Sequence, residues 1–389
     1  MQTLERLKKR IVFLSTYPPR ACGIATFTQD LAGALAQTGK AECHIAAISD
    51  DQYDYPDEVL FSMNQQDPDA YPEAAGRINQ FGADALMIEH EYGIYGGRSG
   101  EYLLKLTGML QVPYFVTLHT VLPRPNKKQR EIIQSLAAGC KKLVTMSFFS
   151  VRVLEDVYGV DPHKIVVIPH GVPRRAVSSR EVLKKQEGLA GRFIVSTFGL
   201  LSPSKGLEYG IDAVARVARK HPELLYLILG QTHPVIKSRD GEQYREKLEN
   251  AVQDYGISEN VRFVNRYLTK EEIIRYLSLS DIYMTPYLGR EQAVSGTLAY
   301  AVGYGRVIVS TPYPYATEML AEGQGLLAKF HSSASLAKCI LQVIRHPEMQ
   351  AQMEKKTAEL GKSMMWDRVA ENYLDLFETV ISEQKGETA

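Results

Sequence analysis

Two stretches in the second half of the chain combine polar side chains with the start of a helix. In FGLLSPSKG, Lys205 stands among serines and glycines directly before a helical pattern. In GREQAVSGTLAYAVGYG, Ser295 is a good N-cap residue for a helix that the later glycines would end. The free amides and the positive dipole end of a helix start favour a phosphate or another anion. Lys205 could instead be a solvated surface lysine, because its sequence is not the phosphate-loop pattern GxxxxGK[S/T].

The residues around Ser295 add charge to the second of these helix starts. Arg290 and Glu291 precede it, and Gly296 and Thr297 would present its first free amides. A turn before a buried helix would explain Ser295 and the glycines, but it leaves Arg290 and Glu291 without a role. We therefore predict an anion-binding helix terminus here.

The stretch STYPPRACGIATF in the first half has a similar arrangement. It follows the strand-like run IVFLST, and apolar spacing places a helix start at about Ile24, with Gly23 at its edge. Glycine allows a ligand to approach the backbone closely, and the helix start again favours an anion. The alternative is that the prolines stiffen a surface loop and Gly23 only relieves a tight turn.

Two further clusters follow strands of the first half. EHEYGIYGG contains His90, Glu91 and Tyr92 after the strand ALMIE, and TLHTVLPRP places His119 at the exit of another strand. The first composition is costly to bury and suits a polyhydroxylated ligand. A single histidine is more often structural, but the carboxyl ends of parallel strands meet at one edge of a sheet. We therefore predict a binding or catalytic role for His119.

Short apolar runs alternate with helical periods, which predicts parallel sheets wound with helices. The predicted strands cover residues 11–16, 43–48, 85–89, 114–118, 142–146 and 164–168 in the first half, and 193–197, 225–230, 261–264, 281–285, 307–311 and 325–330 in the second. The polar segment PHGVPRRAVSSREVLKKQEGLAGR interrupts the alternation and marks a domain boundary. Two such domains would form a cleft, with ligands at the carboxyl ends of the strands.

The predicted domains are residues 1–175, residues 190–365 and a C-terminal helix within 366–389. In that helix Val369, Tyr373, Leu376 and Val380 recur at helical spacing. The helix could pack on the second domain or cross back to the first.

Composition limits the function classes. Hydrophobic residues are 45% and charged residues 23%, and no apolar run has the length of a membrane span. Lys plus Arg and Asp plus Glu both number 45, so no overall charge favours nucleic acid. The four cysteines lack metal-ligand spacing. We expect a cytoplasmic protein without a signal peptide, a structural metal or a nucleic-acid partner.

With these motifs the chain resembles the retaining nucleotide-sugar glycosyltransferases of family 4. The likeness covers nearly the whole chain and rests on a glycine loop after the first strand, a strand-exit histidine, IPHGV before the hinge, FGLLSPSKG, and EQAVSGTLAYAVGYGRVIVST. It implies an α/β GT-B fold, in which two Rossmann-like domains with parallel sheets face an interdomain cleft.

The resemblance also implies a reaction: transfer of a hexosyl group from a nucleoside diphosphate sugar, of the GDP-mannose or UDP-glucose type, to a sugar or other hydroxyl acceptor with retention of configuration. The second domain would hold the donor. Lys205 would contact its diphosphate, the Gly296 and Thr297 amides after Ser295 would cradle it, and Glu291 would bind hydroxyls of the transferred sugar.

The first domain would hold the acceptor. By the same resemblance, Gly23 would approach the donor phosphate, and His119 would lie near the reacting carbon. Four more residues are expected on the acceptor side: Arg20, His90, Glu91 and Tyr92. The leaving phosphate would help deprotonate the acceptor, so neither a protein nucleophile nor a cofactor is implied. No metal is implied either, because no Asp-x-Asp stands at the end of a predicted strand.

Two positions depart from the family pattern. Leu200 stands where the family usually has an arginine, and Arg290 is the candidate to supply that charge. Ala299 stands where a glutamate usually holds the ribose, and Tyr300 substitutes for it only if the register shifts by one residue. Both departures leave open an inactive nucleotide-sugar binding module. A nucleotide-sugar epimerase of GT-B shape is the other alternative.

Overall fold

The computed structural model describes residues 8–387 of the 389-residue chain. These residues divide into two compact units. The first unit contains residues 8–173 and 364–387, and the second unit contains residues 174–363. Each unit has one parallel β-sheet with helices in the crossover connections.

The described residues contain thirteen strands and fifteen α-helices. The strands are β1 Lys9–Ser15, β2 Ala41–Ser49, β3 Val59–Asn64, β4 Ala85–His90, β5 Tyr114–Leu118, β6 Leu143–Thr145, β7 Ile165–Val167, β8 Phe193–Phe198, β9 Leu224–Leu229, β10 Val261–Val264, β11 Ile282–Thr285, β12 Val307–Ser310 and β13 Gly325–Leu327. The helices are α1 Gly23–Gln37, α2 Ala70–Phe81, α3 Leu103–Thr107, α4 Lys127–Gly139, α5 Phe148–Tyr158, α6 Arg180–Gln186, α7 Leu207–Ala218, α8 Pro234–Asp240, α9 Gln243–Asp254, α10 Lys270–Leu279, α11 Gly296–Gly303, α12 Pro314–Met319, α13 Ser333–Arg345, α14 Pro347–Lys362 and α15 Trp366–Glu387. Within residues 8–387, none of the helices has the length and apolar content that crossing a bilayer requires.

The strand order in the first sheet is β3-β2-β1-β4-β5-β6-β7, and in the second it is β10-β9-β8-β11-β12-β13. Every neighbouring pair is parallel. Strands such as β4 and β9 are buried along their whole length, which explains why they read as unbroken apolar runs. The predicted α/β class with two doubly wound sheets is confirmed.

All twelve predicted strands are present, and β3 is the strand that was not predicted. It lies at the edge of its sheet, where Phe61 and Met63 are buried while Ser62 and Asn64 face outward. Such a short alternating run is a weak signal, because only one face needs apolar residues.

In each sheet, the direction in which successive strands are added reverses once. In the first sheet β1 lies between β2 and β4, and in the second β8 lies between β9 and β11. In open α/β sheets, ligands bind outside the carboxyl ends of the strands at this switch point. The loops after β1 and β4, and those after β8 and β11, are therefore the places where a site is expected.

Helix α15 belongs to the first unit and packs on α1. Val369, Tyr373, Leu376 and Val380 are all buried, as their spacing predicts. The helix start is also fixed by main-chain bonds, because the Val172 amide donates to the Met364 carbonyl at 2.7 Å and the Trp366 amide donates to the Val172 carbonyl at 3.0 Å. A Cβ added at Gly171 would lie 2.1 Å from the Trp366 ring, so only glycine fits there.

Candidate functional site

At the switch point of the second unit, the loop after β8 packs directly on the loop after β11. Gly206 has a left-handed φ of +60°, and a Cβ there would lie 2.3 Å from the Pro286 carbonyl oxygen. The Leu288 amide donates to the Ser204 carbonyl at 2.9 Å. Glycine thus permits the close approach that places Lys205 beside the end of β11.

The Lys205 ammonium lies over the ring of Tyr287, 3.9 Å from its centroid. Tyr287 is buried, and its hydroxyl lies 2.8 Å from the Thr297 hydroxyl. Burial would raise the pKa of the Tyr287 phenol, but the charge of Lys205 and the bonds to Thr297 and Ser295 outweigh it, so the pKa is lowered. Among the described residues Lys205 has no ion-pair partner, so its charge is available to a ligand.

The N-terminus of α11 completes this group of residues. The Ser295 hydroxyl accepts from the Leu298 amide at 3.3 Å, which confirms the predicted N-cap. The amides of Gly296 and Thr297 are the first two of the helix and have no partner within it. Lys205, Tyr287 and the start of α11 therefore form one cluster, which we call the cationic pocket residues: Lys205, Tyr287, Ser295, Gly296 and Thr297.

Arg290 and Glu291 lie in the loop before α11. Arg290 is exposed, and its guanidinium carbon lies 4.7 Å from the ring centroid of Phe330, in the loop after β13. Glu291 is partly buried. The structure therefore places Arg290 against the loop after β13, while Lys205 lies against Tyr287.

The structure also locates the two positions that depart from the family pattern, Ala299 on α11 and Leu200 in the loop after β8. Ala299 is fully buried, so the position given by the family spacing faces the core. Tyr300 is partly buried, and its ring lies 6.2 Å from that of Phe198 at the end of β8. Leu200 is partly buried in the loop after β8. Of these two residues of α11, Tyr300 is therefore the one that reaches the surface of this unit.

A third loop, after β9, pairs with the β8 loop. Gly230 has φ +136°, and a Cβ there would meet the Gly199 carbonyl oxygen at 2.1 Å. The Leu201 amide donates to the Gln231 carbonyl at 2.9 Å, and the His233 amide donates back to the Leu201 carbonyl at 2.9 Å. These bonds hold the loop after β9 beside the loop that carries Lys205.

In the first unit, Gly23 is the first residue of α1 and is exposed. Its N-cap is Cys22, whose side chain makes no capping bond, so the first amides of α1 are not satisfied by that side chain. A Cβ added at Gly23 would meet nothing within 4 Å. The free helix start and the open space fit the predicted approach of a ligand to the backbone.

His119 follows β5 and pairs with a glutamate of β4. Its Nε2 lies 2.8 Å from Oε2 of Glu89, which is fully buried. Its ring meets the ring of Phe27 edge to face, with centroids 4.8 Å apart, one turn after Gly23 in α1. The structure therefore brings His119 and the first turn of α1 together at the carboxyl edge of the sheet.

The residues expected on the acceptor side separate into three environments. His90 is fully buried, where burial lowers its pKa to about 3, so it does not reach the surface of the unit. Glu91 accepts from the Tyr92 amide at 2.9 Å and from the Thr120 hydroxyl at 2.5 Å, which ties the β4 loop to the β5 loop. The Tyr92 ring packs on that of His90, with centroids 5.0 Å apart. Because the His90 side chain is fully buried, the structure does not support its expected contact with the acceptor.

Arg20 links the ends of three strands. Its guanidinium donates to the Ile48 carbonyl and to Gln65 Oε1, each at 3.0 Å, and lies 3.0 Å from Asp50. Gln65 in turn donates to the Gly93 carbonyl at 2.9 Å. Through these bonds Arg20 holds the loops at this edge of the sheet together.

Two residues of these sites were not predicted as site residues. A glutamate at the end of the apolar run ALMIE was a usable signal for Glu89, because buried carboxylates need a partner. Tyr287 carries no such signal, since a tyrosine after an apolar strand is typical of a core. Among the described residues, no group of three or more His, Cys, Asp or Glu side chains could hold a metal ion.

Two family models match the chain. The model described as Glycosyltransferase Family 4 matches residues 21–175, and the model described as Glycosyl transferases group 1 matches residues 179–360. Together they cover most of the chain, and they meet in the segment between β7 and α6.

Two related glycosyltransferases are 22% and 26% identical to this chain over the regions that align. The D-inositol 3-phosphate glycosyltransferase of Kineococcus radiotolerans is 22% identical over 273 residues, which are 65% of this chain and 60% of that protein. The phosphatidyl-myo-inositol mannosyltransferase of Mycobacterium leprae is 26% identical over 216 residues, which are 55% of this chain and 54% of that protein. The chain thus spans less than two thirds of the length of both proteins.

A crystal structure of HepE from Anabaena in complex with UDP and glucose has the same fold. It aligns with a TM-score of 0.73 at 16% identity, over 95% of this chain and 100% of that chain. This likeness and the two parallel sheets confirm the predicted α/β GT-B fold.

Proposed function

Since this chain belongs to the group 1 glycosyltransferases of family 4, we propose that it transfers a hexosyl group from a nucleoside diphosphate sugar to a hydroxyl acceptor, with retention of configuration. The cationic pocket residues carry this proposal. Lys205 has no carboxylate partner among the described residues and lies over Tyr287, whose hydroxyl contacts that of Thr297 at the start of α11, at the switch point of its sheet. That combination suits a diphosphate.

The proposed role of these residues is to stabilise the leaving group. A nucleoside diphosphate departs with negative charge, so a catalyst gains most from fixed positive charge and oriented amides where that charge develops. Lys205 and the amides of Gly296 and Thr297 supply both. Glu291 would bind hydroxyls of the transferred sugar, and Tyr300 takes the place proposed for ribose contact.

The carboxyl edge of the first sheet is proposed to bind the acceptor. Gly23, beside it, leaves room at the start of α1 for the donor phosphate that it is proposed to approach, and His119 contacts Phe27 one turn further along that helix. Glu91 and Tyr92 shape the neighbouring loop. The acceptor proton would go to the leaving phosphate, so no residue of this chain is assigned as a nucleophile.

The donor is proposed to be of the GDP-mannose or UDP-glucose type, bound without a metal. The related mannosyltransferase and inositol phosphate glycosyltransferase favour a hexosyl group and a hydroxyl acceptor. The HepE complex contains UDP and glucose, which belong to the same ligand class. Because the donor is proposed to bind without a metal, activity should persist in excess EDTA.

A ligand screen followed by a turnover assay tests the function. The melting temperature is measured with UDP, GDP and ADP, because a ligand of the native state stabilises it by mass action. The nucleotide sugars of the base that binds are then incubated with and without hydroxyl acceptors, and the anomeric configuration of the product is read by NMR. Nucleotide binding without any turnover would instead identify a binding module, and conversion of the donor without an acceptor would identify an epimerase.

Replacing Gly23 by valine should reduce kcat/KM by about tenfold or more, which corresponds to at least about 1.4 kcal/mol of lost binding. The new side chain would occupy the space beside the α1 amides while touching no protein atom, so folding should be unaffected. Gly33→Val is the matched control, because Gly33 lies in the same helix and its Cβ would also meet nothing within 4 Å. If both variants transfer sugar like the wild type, Gly23 is not an approach point.

Replacing Arg290 by alanine tests whether this arginine supplies the charge missing at Leu200. We expect the Kd for the preferred nucleoside diphosphate to rise about tenfold, since a hydrogen bond to a charged group contributes about 1.5 to 3 kcal/mol. Calorimetric titration measures it, with Arg219→Ala as control, because Arg219 is an exposed arginine at the far end of α7. An unchanged Kd for Arg290→Ala rejects this role.

A further inference from the structure

We propose that Glu89 is a positioning residue for His119 in the transfer reaction, acting through the imidazole without touching substrate. This inference rests on the proposed function. It adds a residue that the sequence motifs do not assign.

The strand register sets the two side chains against each other. β4 and β5 are parallel neighbours, and Glu89 pairs with Thr117. Side chains two residues apart in an extended chain share a face, so His119 lies on the face of Thr117, one pleat further toward the carboxyl edge. The His119 amide also donates to the His90 carbonyl at 3.0 Å, which continues the pairing past the end of β5. The 2.8 Å contact between His119 and Glu89 is thus fixed by backbone on both sides.

The position of Glu89 is unfavourable for a carboxylate. The side chain is fully buried, and its single ion-pair partner among the described residues is His119. Burying a charge costs several kcal/mol, and an apolar residue in such a place is often neutral or stabilising. Packing of β4 therefore does not require a glutamate here. The glutamate does, however, give the His119 imidazole a hydrogen-bond partner that orients it.

The other titratable groups near this pair are neutral or bonded elsewhere. Burial lowers the pKa of His90, in β4, to about 3 and that of His170, after β7, to about 4, so both rings are neutral near pH 7. Tyr373 of α15 has its hydroxyl 3.1 Å from that of Thr117, and burial raises its pKa well above the usual range. Glu91 is turned to the Tyr92 amide and to Thr120.

The chemical consequence concerns the free nitrogen of the imidazole. With Nε2–H donating to Glu89, Nδ1 is the nitrogen that remains for a ligand hydroxyl. A ligand hydroxyl that donates a hydrogen bond to Nδ1 places partial positive charge on the ring, which the Glu89 carboxylate stabilises in a buried setting, while the proton itself passes to the leaving phosphate. Burial raises the pKa of Glu89, and the hydrogen bond with His119 opposes this rise.

The test compares Glu89→Gln with Glu89→Asp in the full chain. Glutamine preserves size and a hydrogen bond but removes the charge, so kcat should fall about 10- to 100-fold, the range seen when the hydrogen-bond partner of a metal-bound histidine is replaced. The Kd for the nucleoside diphosphate should stay within about twofold. Without the carboxylate the imidazolium loses its partner, so the pH limb that belongs to His119 should move to lower pH. Glu89→Asp, which keeps the charge, should retain that limb.

Tyr373→Phe is the matched control, because it removes a hydroxyl from the same buried neighbourhood without removing a bond of His119. It should leave the pH profile unchanged. An active wild type whose kcat and pH limb are unchanged in Glu89→Gln overturns the role of Glu89 and leaves the proposed function intact. A wild type that turns over no nucleotide sugar overturns the proposed function and this role together.

Discussion

Replacing Lys205 by alanine is expected to lower kcat/KM for the nucleotide sugar by about 100- to 1,000-fold, the loss typical when one donor to a developing anion is removed. The ammonium lies over the buried ring of Tyr287 and has no carboxylate partner among the described residues. No carboxylate of these residues neutralises its charge, and a diphosphate is the group that would use it.

The effect on folding should be small by comparison. The cation–π contact contributes about 0.5 to 2 kcal/mol, so the melting temperature of Lys205→Ala should fall by a few degrees at most. Steady-state kinetics and thermal unfolding separate the two effects. Lys205→Arg keeps the charge and should retain more activity than alanine, and Lys220→Ala, an exposed lysine beyond the end of α7, should behave like the wild type. Wild-type kinetics in Lys205→Ala would remove the cationic pocket residues from the mechanism.

Replacing Asp281 by alanine is expected to destabilise the protein by about 3 to 5 kcal/mol, the usual result of removing one partner from a buried ion pair. Asp281 is buried just before β11. It accepts from the Ile194 amide at 2.7 Å and from Lys184 at 2.5 Å, and it lies 3.2 Å from Arg180. Its loss would remove the carboxylate that pairs with Lys184, leave Arg180 with Glu354 alone, and leave one main-chain amide without its acceptor.

Chemical or thermal unfolding measures this change. For a unit of this size about 1 kcal/mol corresponds to a shift of 2 to 4 °C, so the melting temperature should fall by about 10 °C. Asp212→Ala removes a partly exposed carboxylate that pairs with the exposed Arg216 one turn away on α7, and its effect should stay below about 1 kcal/mol. Nucleotide affinity of folded Asp281→Ala should be normal, because Asp281 lies at the amino end of β11, opposite the edge that carries Lys205. A variant as stable as the wild type contradicts the assigned role of this network.

Local sequence was sufficient for most of the fold and for part of the site. Parallel strands read as apolar runs, and twelve of the thirteen strands in the described residues were predicted from such runs. The N-cap at Ser295 is similarly local, since it depends on one side chain and an amide three residues later. The edge strand β3 was not predicted, because a strand with only one buried face contains too few apolar residues to form a recognisable run.

Side-chain direction at the strand ends was not predictable in the same way. His90 and His119 both stand at the end of an apolar strand, yet the first is buried and the second pairs with Glu89 near the carboxyl edge. On α11, Ala299 faces the core while Tyr300 lies partly exposed. A shift of one residue reverses the face of a side chain in a strand and turns it by about 100° in a helix, where 3.6 residues make a turn.

The sequence by itself determined the two wound sheets, the helix starts and the family, because these depend on periodicity, capping and motif spacing along the chain. Only the tertiary structure decided that Lys205 lies on Tyr287, 82 positions away, and that Glu89 meets His119, 30 positions away. Both contacts depend on which strands become neighbours in the sheet and on their register. Pairing of this kind is set by the packing of the whole unit, so residues distant in the chain acquire a joint chemical role only in the fold.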